Sequence, residues 1–203
     1  MSANDYHLVS QWRVLGTVEE CYDIISAAED TPRWWPAAFS EVLTIEKGDE
    51  TGLGTIVRMK TQGYLPYTLN WHLRVTDVIP NTSISFKVWG DFEGEGQWTF
   101  TQNDAWCDIG YDWRITVKKG IVRYLSFLGR PVFVSNHRWA MARGEESLRI
   151  ELARRHAPSD VARASLPEPP QPKPVSLAVP AAIGASLLAL LFLRGRRRDR
   201  DAS

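Results

Sequence analysis

The chain has 203 residues, 44% hydrophobic and 24% charged, a composition that predicts one globular domain with additional segments. Residues 194–203 hold five of the 24 basic and two of the 24 acidic residues, so the remaining 19 basic and 22 acidic residues give a formal charge of −3. A folded part with no basic excess argues against nucleic acid as a partner. Nine tryptophans predict an aromatic core or cavity wall, since an aromatic side chain buries about 150–250 Å².

The N-terminal region is predicted to form a strand and then a helix. Apolar and polar residues alternate from Tyr6 to Leu15, which is typical of a half-buried strand. Thr17 and Glu20 have the spacing of a capping box, so a helix is expected to begin there. The dipeptide at 31–32 is predicted to end that helix, and no regular element is predicted for PRWWP at 32–36. No signal peptide is expected, because no basic region followed by an apolar run opens the chain.

The middle of the chain shows period-two alternation interrupted by turn residues. Because the alternation is regular, it predicts an antiparallel sheet with one buried and one solvated face. The sequence DFEGEG at 91–96 is interpreted as a turn. The predicted strands cover residues 42–46, 55–61, 69–76, 84–89, 97–101 and 109–117.

A long amphipathic helix is predicted from Pro131 to Arg155. It would be roughly 37 Å long at 1.5 Å per residue, and it needs a large apolar partner, which the sheet provides. Residues 118–128 are predicted to be a short helix or loop that leads into it. One face of the helix carries Phe133, His137, Ala140, Met141, Gly144, Leu148 and Leu152 at three- and four-residue steps.

The C-terminal part is predicted to leave the globular domain, which is expected to span residues 1–157. Residues 158–174 are rich in proline and are interpreted as an exposed linker. Residues 175–193 carry no charge and would span roughly 28 Å as a helix, which predicts a single membrane-spanning anchor. The basic tail of 194–203 would favour a cytoplasmic C-terminus. Nothing at the N-terminus could export the domain, so a tail-anchored protein with a cytoplasmic domain is expected.

The order strand, helix, about six antiparallel strands and long helix predicts an α+β fold in which a curved sheet wraps around the helix. It resembles the helix-grip fold of the START-like (SRPBCC) superfamily, in its polyketide cyclase/dehydrase and lipid-transport branch. The local resemblance lies in WWP at 34–36, FEGEGQWTF at 92–100 and RPVFVSNHRWAMARGEESL at 130–148, within roughly residues 5–155. The resemblance implies a cavity for a hydrophobic ligand and no shared catalytic residue.

The sequence contains no cofactor or metal motif. Paired glycines at 52 and 54 and at 94 and 96 lack the third glycine of a dinucleotide fingerprint and are interpreted as turn or bulge glycines. The four histidines and two cysteines have no metal-ligand spacing. Cys21 and Cys107 form no CxxC motif and are expected to be buried free thiols. Neither a cofactor nor a metal is therefore predicted.

Residues of the long helix and the sheet are the candidates for a ligand-binding site. His137 is the best candidate for an acid or base, although a satisfied core histidine is the alternative. Gly144 leaves space either for a closely packed strand or for ligand. The aromatic residues could instead fill a solid core. The predicted ligand-binding residues are Trp12, Trp71, Trp98, Tyr111, Trp113, Phe133, His137, Met141 and Gly144.

Three functions are consistent with these patterns. The first is membrane-anchored binding or transport of a hydrophobic or lipid-like molecule, whose affinity would come from burial in an aromatic cavity. The second is a cyclase or dehydratase acting on an aromatic or polyketide precursor, which would need a general acid or base such as His137. The third is a scaffold domain whose cavity is vestigial. The predicted partners are a hydrophobic small molecule and the membrane.

Overall fold

The computed structural model of the protein describes residues 4–64, 67–118 and 129–172. Among these residues, seven strands form one antiparallel sheet that packs with a long C-terminal helix, which confirms the predicted α+β architecture. The strands are β1 (Asp5–Leu15), β2 (Phe39–Glu46), β3 (Ile56–Gln62), β4 (Thr68–Ile79), β5 (Ser83–Gly90), β6 (Phe92–Asn103) and β7 (Trp106–Val117), and the helices are α1 (Val18–Ser26), α2 (Thr31–Trp34), α3 (Gly129–Arg155) and α4 (Asp160–Ser165).

The sheet order is β1-β7-β6-β5-β4-β3-β2, so the first two strands of the chain occupy the opposite edges. All other neighbours are consecutive hairpins, whereas β1 pairs with β7, the last strand. Helix α3 covers part of the exposed edge of β1, where the Arg13 backbone N–H donates to Glu145 at 3.0 Å and Arg149 donates to the Arg13 carbonyl at 3.0 Å. Satisfying these edge groups protects β1 from pairing with another chain.

Helix α1 begins at the predicted capping box. The Glu20 backbone N–H donates to the Thr17 hydroxyl, and the Thr17 N–H donates to the Glu20 carboxylate at 2.9 Å. The predicted end of this helix was wrong, because α1 stops at Ser26 and a 3₁₀ turn, Ala28–Asp30, follows. Pro32 then lies in the first turn of α2, where its missing N–H costs no helical hydrogen bond.

The interpretation of DFEGEG as a turn was also wrong, because β6 runs through it from Phe92. Gly94 pairs with Val88 on one side and Ile115 on the other. Its φ of +156° suits glycine, and a Cβ there would lie 2.0 Å from the Arg114 carbonyl oxygen. Both glycines of this stretch therefore let neighbouring strands and rings approach closely, and they do not end the strand.

Helix α3 buries the predicted face against the sheet. Phe133, Met141, Leu148 and Leu152 are all at most 6% exposed. Their spacing of eight, seven and four residues keeps them on one side of the helix, as the sequence pattern predicted. Ser147, also fully buried, extends this contact face.

The two cysteines are buried and free, as predicted. Cys21 on α1 and Cys107 on β7 also meet each other in the core, a pairing that their separation in sequence gave no reason to expect. The hydrogen bond with the Cys107 thiol, together with burial, raises the pKa of Cys21 far above its ordinary value. It is therefore a neutral packing group at physiological pH.

The segment after α3 is more ordered than an exposed linker. Ser159 caps the short helix α4, its hydroxyl accepting from the Ala162 N–H at 3.2 Å. Arg154 holds the following chain through the Pro167 carbonyl at 3.0 Å and Glu168 at 2.9 Å. The predicted linker thus folds back on α3 as far as residue 168.

The predicted membrane anchor, 175–193, and basic tail, 194–203, lie outside the described residues, as do residues 119–128 of the predicted helix or loop before α3. Within residues 4–64, 67–118 and 129–172, none of the helices is both long and apolar enough to span a bilayer.

Candidate ligand cavity

A cavity of about 220 Å³ lies between the sheet and the first half of α3. It exceeds the roughly 150 Å³ of an engineered apolar cavity that holds benzene, and it lies below the ~300–1,000 Å³ of drug-sized ligand sites. Tyr22 and Ile25 of α1 and the β2–β3 turn at Thr51 and Gly52 also contribute. The core of the domain is therefore not completely filled.

Aromatic rings form much of the wall and support one another. Trp98 and Tyr111 lie with ring centroids 4.2 Å apart, and Trp71 lies 5.1 Å from Phe92. Trp113 meets Phe92 edge to face at 4.9 Å. Such interlocked rings have few alternative rotamers, so the wall is largely preformed.

Seven of the nine predicted site residues lie around this cavity, although whether they contact a ligand stays a prediction. They come from three strands and from α3, and they are Trp71, Trp98, Tyr111, Trp113, Phe133, His137 and Met141.

Trp12 and Gly144 do not border this cavity. Trp12 is 3% exposed and packs 5.3 Å from Trp35 and 5.2 Å from Trp98, behind the lining. A Cβ on Gly144 would lie 2.5 Å from Cζ2 of Trp35 and 2.7 Å from Cζ2 of Trp12. The space at Gly144 is thus occupied by two indole rings, and the strand alternative is met through the side chain of Trp12 on β1.

The sequence prediction missed Trp34 and Trp35, which line the cavity from the end of α2. They are 2% and 5% exposed and pack with ring centroids 5.6 Å apart. The sequence did contain a signal for this, the two adjacent tryptophans of PRWWP. Such large aromatic side chains stabilise a fold only when they are buried. Their placement required the long-range contact with α3, which no local pattern encodes.

The guanidinium of Arg33 fastens α2 to the second half of α3. Its two terminal nitrogens each donate to the Glu151 carboxylate at 2.8 Å, and Asp30 accepts from the same guanidinium at 2.6 Å. Arg155 adds a contact to Glu151 at 3.1 Å. Hydrogen bonds from Arg33 lower the pKa of Glu151, so this nearly buried carboxylate stays charged. The Arg33–Glu151 ion pair thus fixes the end of α2, with the neighbouring Trp34 and Trp35, against α3.

His137 lies on the cavity side of α3, in contact with the sheet. Its ring stacks on Trp113 at 5.6 Å and Tyr111 at 6.2 Å, and its Nε2 is 3.5 Å from the Ser10 hydroxyl. Burial lowers the pKa of His137 to about 4. The imidazole is therefore neutral at pH 7 and acts as a hydrogen-bonding group without charge.

Two polar pairs are satisfied inside the wall. The Trp71 indole N–H donates to the Thr61 hydroxyl at 3.0 Å. The Asn136 side-chain oxygen accepts from the Tyr64 backbone N–H at 3.0 Å, and it can approach because Gly63 has no Cβ in its path.

Three other indole N–H groups of the lining have no partner among the described residues. They belong to Trp34, Trp35 and Trp113, and all three nitrogens are buried. A buried donor left unpaired costs about 1–3 kcal/mol.

The cavity lining contains no Asp, Glu, Lys or Arg within the described residues. No group of three or more His, Cys, Asp and Glu side chains in the same ranges is placed to hold a metal ion.

The fold is shared with proteins of known structure. A START superfamily protein from Mycobacterium smegmatis matches with a TM-score of 0.58 at 14% identity, covering 70% of this chain and 94% of that one. The Zhui aromatase/cyclase from Streptomyces sp. R1128 matches with a TM-score of 0.58 at 14% identity, covering 74% and 95%. Truncated norcoclaurine synthase from Thalictrum flavum matches with a TM-score of 0.52 at 17% identity. The match covers 75% of this chain and 96% of that one.

No protein-family model and no curated protein sequence matches the chain. At these identities the structural likeness establishes the fold alone, which this chain shares with START and aromatase/cyclase structures. The fold by itself does not determine the function.

Proposed function

We propose that the chain binds a hydrophobic small molecule in the cavity between the sheet and α3. The observation that carries this proposal is an uncharged, aromatic-walled space inside a domain whose other core side chains are buried. An apolar pocket with few polar groups is the usual form of a small-molecule site. The volume of about 220 Å³ favours this function over a scaffold whose cavity has closed.

Enzymatic cyclisation or dehydration is the weaker alternative. Some structural neighbours are an aromatase/cyclase and a synthase, which makes the comparison natural. A general acid or base works best with a pKa near the operating pH, whereas burial lowers the pKa of His137 to about 4. The Ser10 hydroxyl beside it supplies no charge. Binding without chemistry therefore needs fewer assumptions.

We further propose the organisation predicted from the sequence: a binding domain of 1–157, a connecting segment of 158–174, a single membrane-spanning helix of 175–193 and a tail of 194–203. Support comes from the 19 uncharged residues of the third segment. A cytoplasmic domain facing the membrane could exchange a hydrophobic ligand with the bilayer. Fractionation tests the anchor, since full-length protein recovered without detergent would contradict it. Protease treatment of intact cells tests the sidedness, because loss of the domain would place it outside.

The binding proposal is tested by recovering bound molecules. Full-length protein in lipid nanodiscs is extracted with organic solvent and analysed by mass spectrometry beside empty discs. We expect a molecule at near-equal stoichiometry with wild type and its loss in Ala140→Phe, which fills the cavity. Ala142→Phe is the matched control, because Ala142 lies two residues away on the exposed side of α3. Equal recovery from both variants, or none from wild type, would contradict the proposal.

A further inference from the structure

The outer face of the sheet, opposite the cavity, divides into a basic and an acidic part. Outward-facing residues alternate along each strand with the residues that line the cavity. On β3, β4 and β5 the outward positions hold four exposed basic side chains, Arg58, Lys60, Arg74 and Lys87. On β6 and β7 they hold four acidic side chains, Glu93, Glu95, Asp108 and Asp112. One part of the sheet therefore carries a local excess of positive charge, although the whole chain has no net formal charge.

The strand register brings these basic residues around one exposed aromatic pair. Arg58 on β3, His72 on β4 and Trp89 on β5 are successive partners across the sheet. The rings of His72 and Trp89 stack with centroids 5.3 Å apart, and Trp89 is 38% exposed. Arg74 lies directly opposite Lys87. Like charges in this position destabilise a sheet, and an anion bound between them would remove that cost.

Most of this positive charge is not neutralised within the domain. One of the four basic side chains is paired, since Arg58 contacts Glu41 at 3.0 Å. The other three form no ion pair within residues 4–64, 67–118 and 129–172, and Lys87 does not pair even with its register partner Glu95 on β6. Three exposed cations on neighbouring strands can therefore contact an external anion.

Exposed apolar side chains lie among these charges. Leu43 on the edge strand β2 is the register partner of Arg58, and both Leu43 and Ile45 are exposed. Apolar side chains beside cations suit the boundary of a bilayer, where the apolar groups enter the headgroup layer and the cations meet anionic lipids. Tryptophan is also enriched at that boundary. Single-stranded nucleic acid would use the cations and Trp89 but not the aliphatic side chains of β2.

We propose that the outer face of β2 to β5 docks on the surface of a bilayer that contains anionic lipids. The residues of this docking face are Leu43, Ile45, Arg58, Lys60, Arg74, Lys87 and Trp89. The inference is independent of the cavity and adds a second membrane contact to the anchor proposed above. The cytoplasmic leaflet is the anionic one, which agrees with the proposed cytoplasmic domain. Docking would hold the domain in one orientation against the membrane.

Quenching of tryptophan fluorescence by brominated lipids tests the docking. Full-length protein is mixed with nanodiscs of brominated phosphatidylcholine, with or without about 30% phosphatidylserine, at pH 7. Residues 173–203 contain no tryptophan, so the signal comes from the domain. We expect stronger quenching in the anionic discs, and loss of this difference in about 0.5 M salt, which screens the charges. Equal quenching in both kinds of disc would overturn the proposal. Retention of the protein on neutral discs reports separately on the anchor.

Matched variants identify the docking face. Trp89→Phe should abolish the additional quenching in anionic discs, whereas Trp106→Phe should preserve it, because Trp106 is 42% exposed but lies on β7 in the acidic part. Arg74→Gln with Lys87→Gln should lower the docking equilibrium constant roughly fivefold for each charge removed. The control Arg114→Gln removes an exposed basic side chain of β7 and should leave docking unchanged.

Two results would contradict the assignment of this face. Additional quenching that survives both Trp89→Phe and the double variant would show that another surface docks. A fluorescent oligothymidine is the second probe. If it binds wild type and loses affinity in the double variant, while the discs show no dependence on anionic lipid, the face binds nucleic acid and the proposal is overturned.

Discussion

The two halves of α3 differ in what they contact. From Phe133 to Met141 the helix faces the cavity, and its side chains have open space beside them. From Gly144 to Leu152 the same face packs without a gap against tryptophan rings and α1, and Leu148 is fully buried. One continuous helix thus combines a half that lines the cavity with an anchoring half that packs against the core. A substitution in the first half is expected to change binding, and one in the second half to change stability.

Truncation tests this comparison most strongly. Leu148→Ala should lower the free energy of unfolding by about 2–5 kcal/mol, because it opens a void in close packing. Met141→Ala should cost less than half as much, since Met141 already borders empty space. Thermal unfolding measures both, at about 2–4 °C per kcal/mol for a domain of this size. Equal losses would show that the two halves pack alike.

The second test uses pH. Burial lowers the pKa of His137 from 6.5, its ordinary value, to about 4 in the folded protein. As the pH falls, His137 is therefore protonated in the unfolded chain before it is protonated in the folded protein. Above pH 6.5, neutral His137 makes its full contribution to the free energy of unfolding. This contribution is lost progressively between pH 6.5 and pH 4, by up to about 3 kcal/mol. His137→Gln should flatten this part of the stability curve measured by urea unfolding. If the free energy of unfolding falls with pH equally steeply in the variant, burial does not lower the pKa of His137.

Filling space is the third test. Gly144→Leu should cost about 1–3 kcal/mol, because even its Cβ would overlap Trp35. Ala140→Leu places the same side chain one turn earlier, beside the cavity, and should cost less than 1 kcal/mol while weakening the binding of a fluorescent apolar probe. Thermal melts and fluorescence titrations give the two readouts. The comparison fails if Gly144→Leu blocks binding and leaves the melting temperature unchanged.

The smallest expected effect concerns the ion pair of the anchoring half. Glu151→Gln keeps the shape of the side chain but removes its charge, and Arg33 is half exposed, so the loss should be about 1 kcal/mol. The pKa of Glu151 is below its ordinary 4.5, so its stabilising effect is present above pH 4.5 and lost as pH falls further. The difference between Glu151→Gln and wild type, measured by urea unfolding, should therefore be smaller at pH 3.5 than at pH 7. An equal difference at both pH values would assign the effect to packing.

Periodicity was sufficient to predict the sheet and the long helix. The alternation in β7 and the buried stripe of α3 are local patterns that repeat many times, so individual exceptions do not hide them. The glycines in 91–96 were misinterpreted as a turn. Glycine is used in turns, but it is also used in strands whose neighbours approach closely, as here.

The cavity was predicted less completely because its wall is assembled from distant segments. Residues on strands and α3 could be assigned to a buried face, and most of those chosen border the cavity. Their spacing could not distinguish Ala140, which adjoins open space, from Gly144, which accommodates two indoles. That difference depends on where Trp12 and Trp35 lie in three dimensions.

The pairing of β1 with β7 has a consequence for how the domain is made. These partners are roughly a hundred positions apart, and every contact between them requires closure of nearly the whole domain. During synthesis β1 emerges first and must wait, with Trp12 and other core residues uncovered, until β7 has left the ribosome. A pairing at this distance slows folding, because the cost of closing the loop comes before the contacts that compensate for it. The nascent chain therefore exposes the core residues of β1 for about half of its synthesis, and we expect chaperones that hold extended apolar segments to bind it during that time.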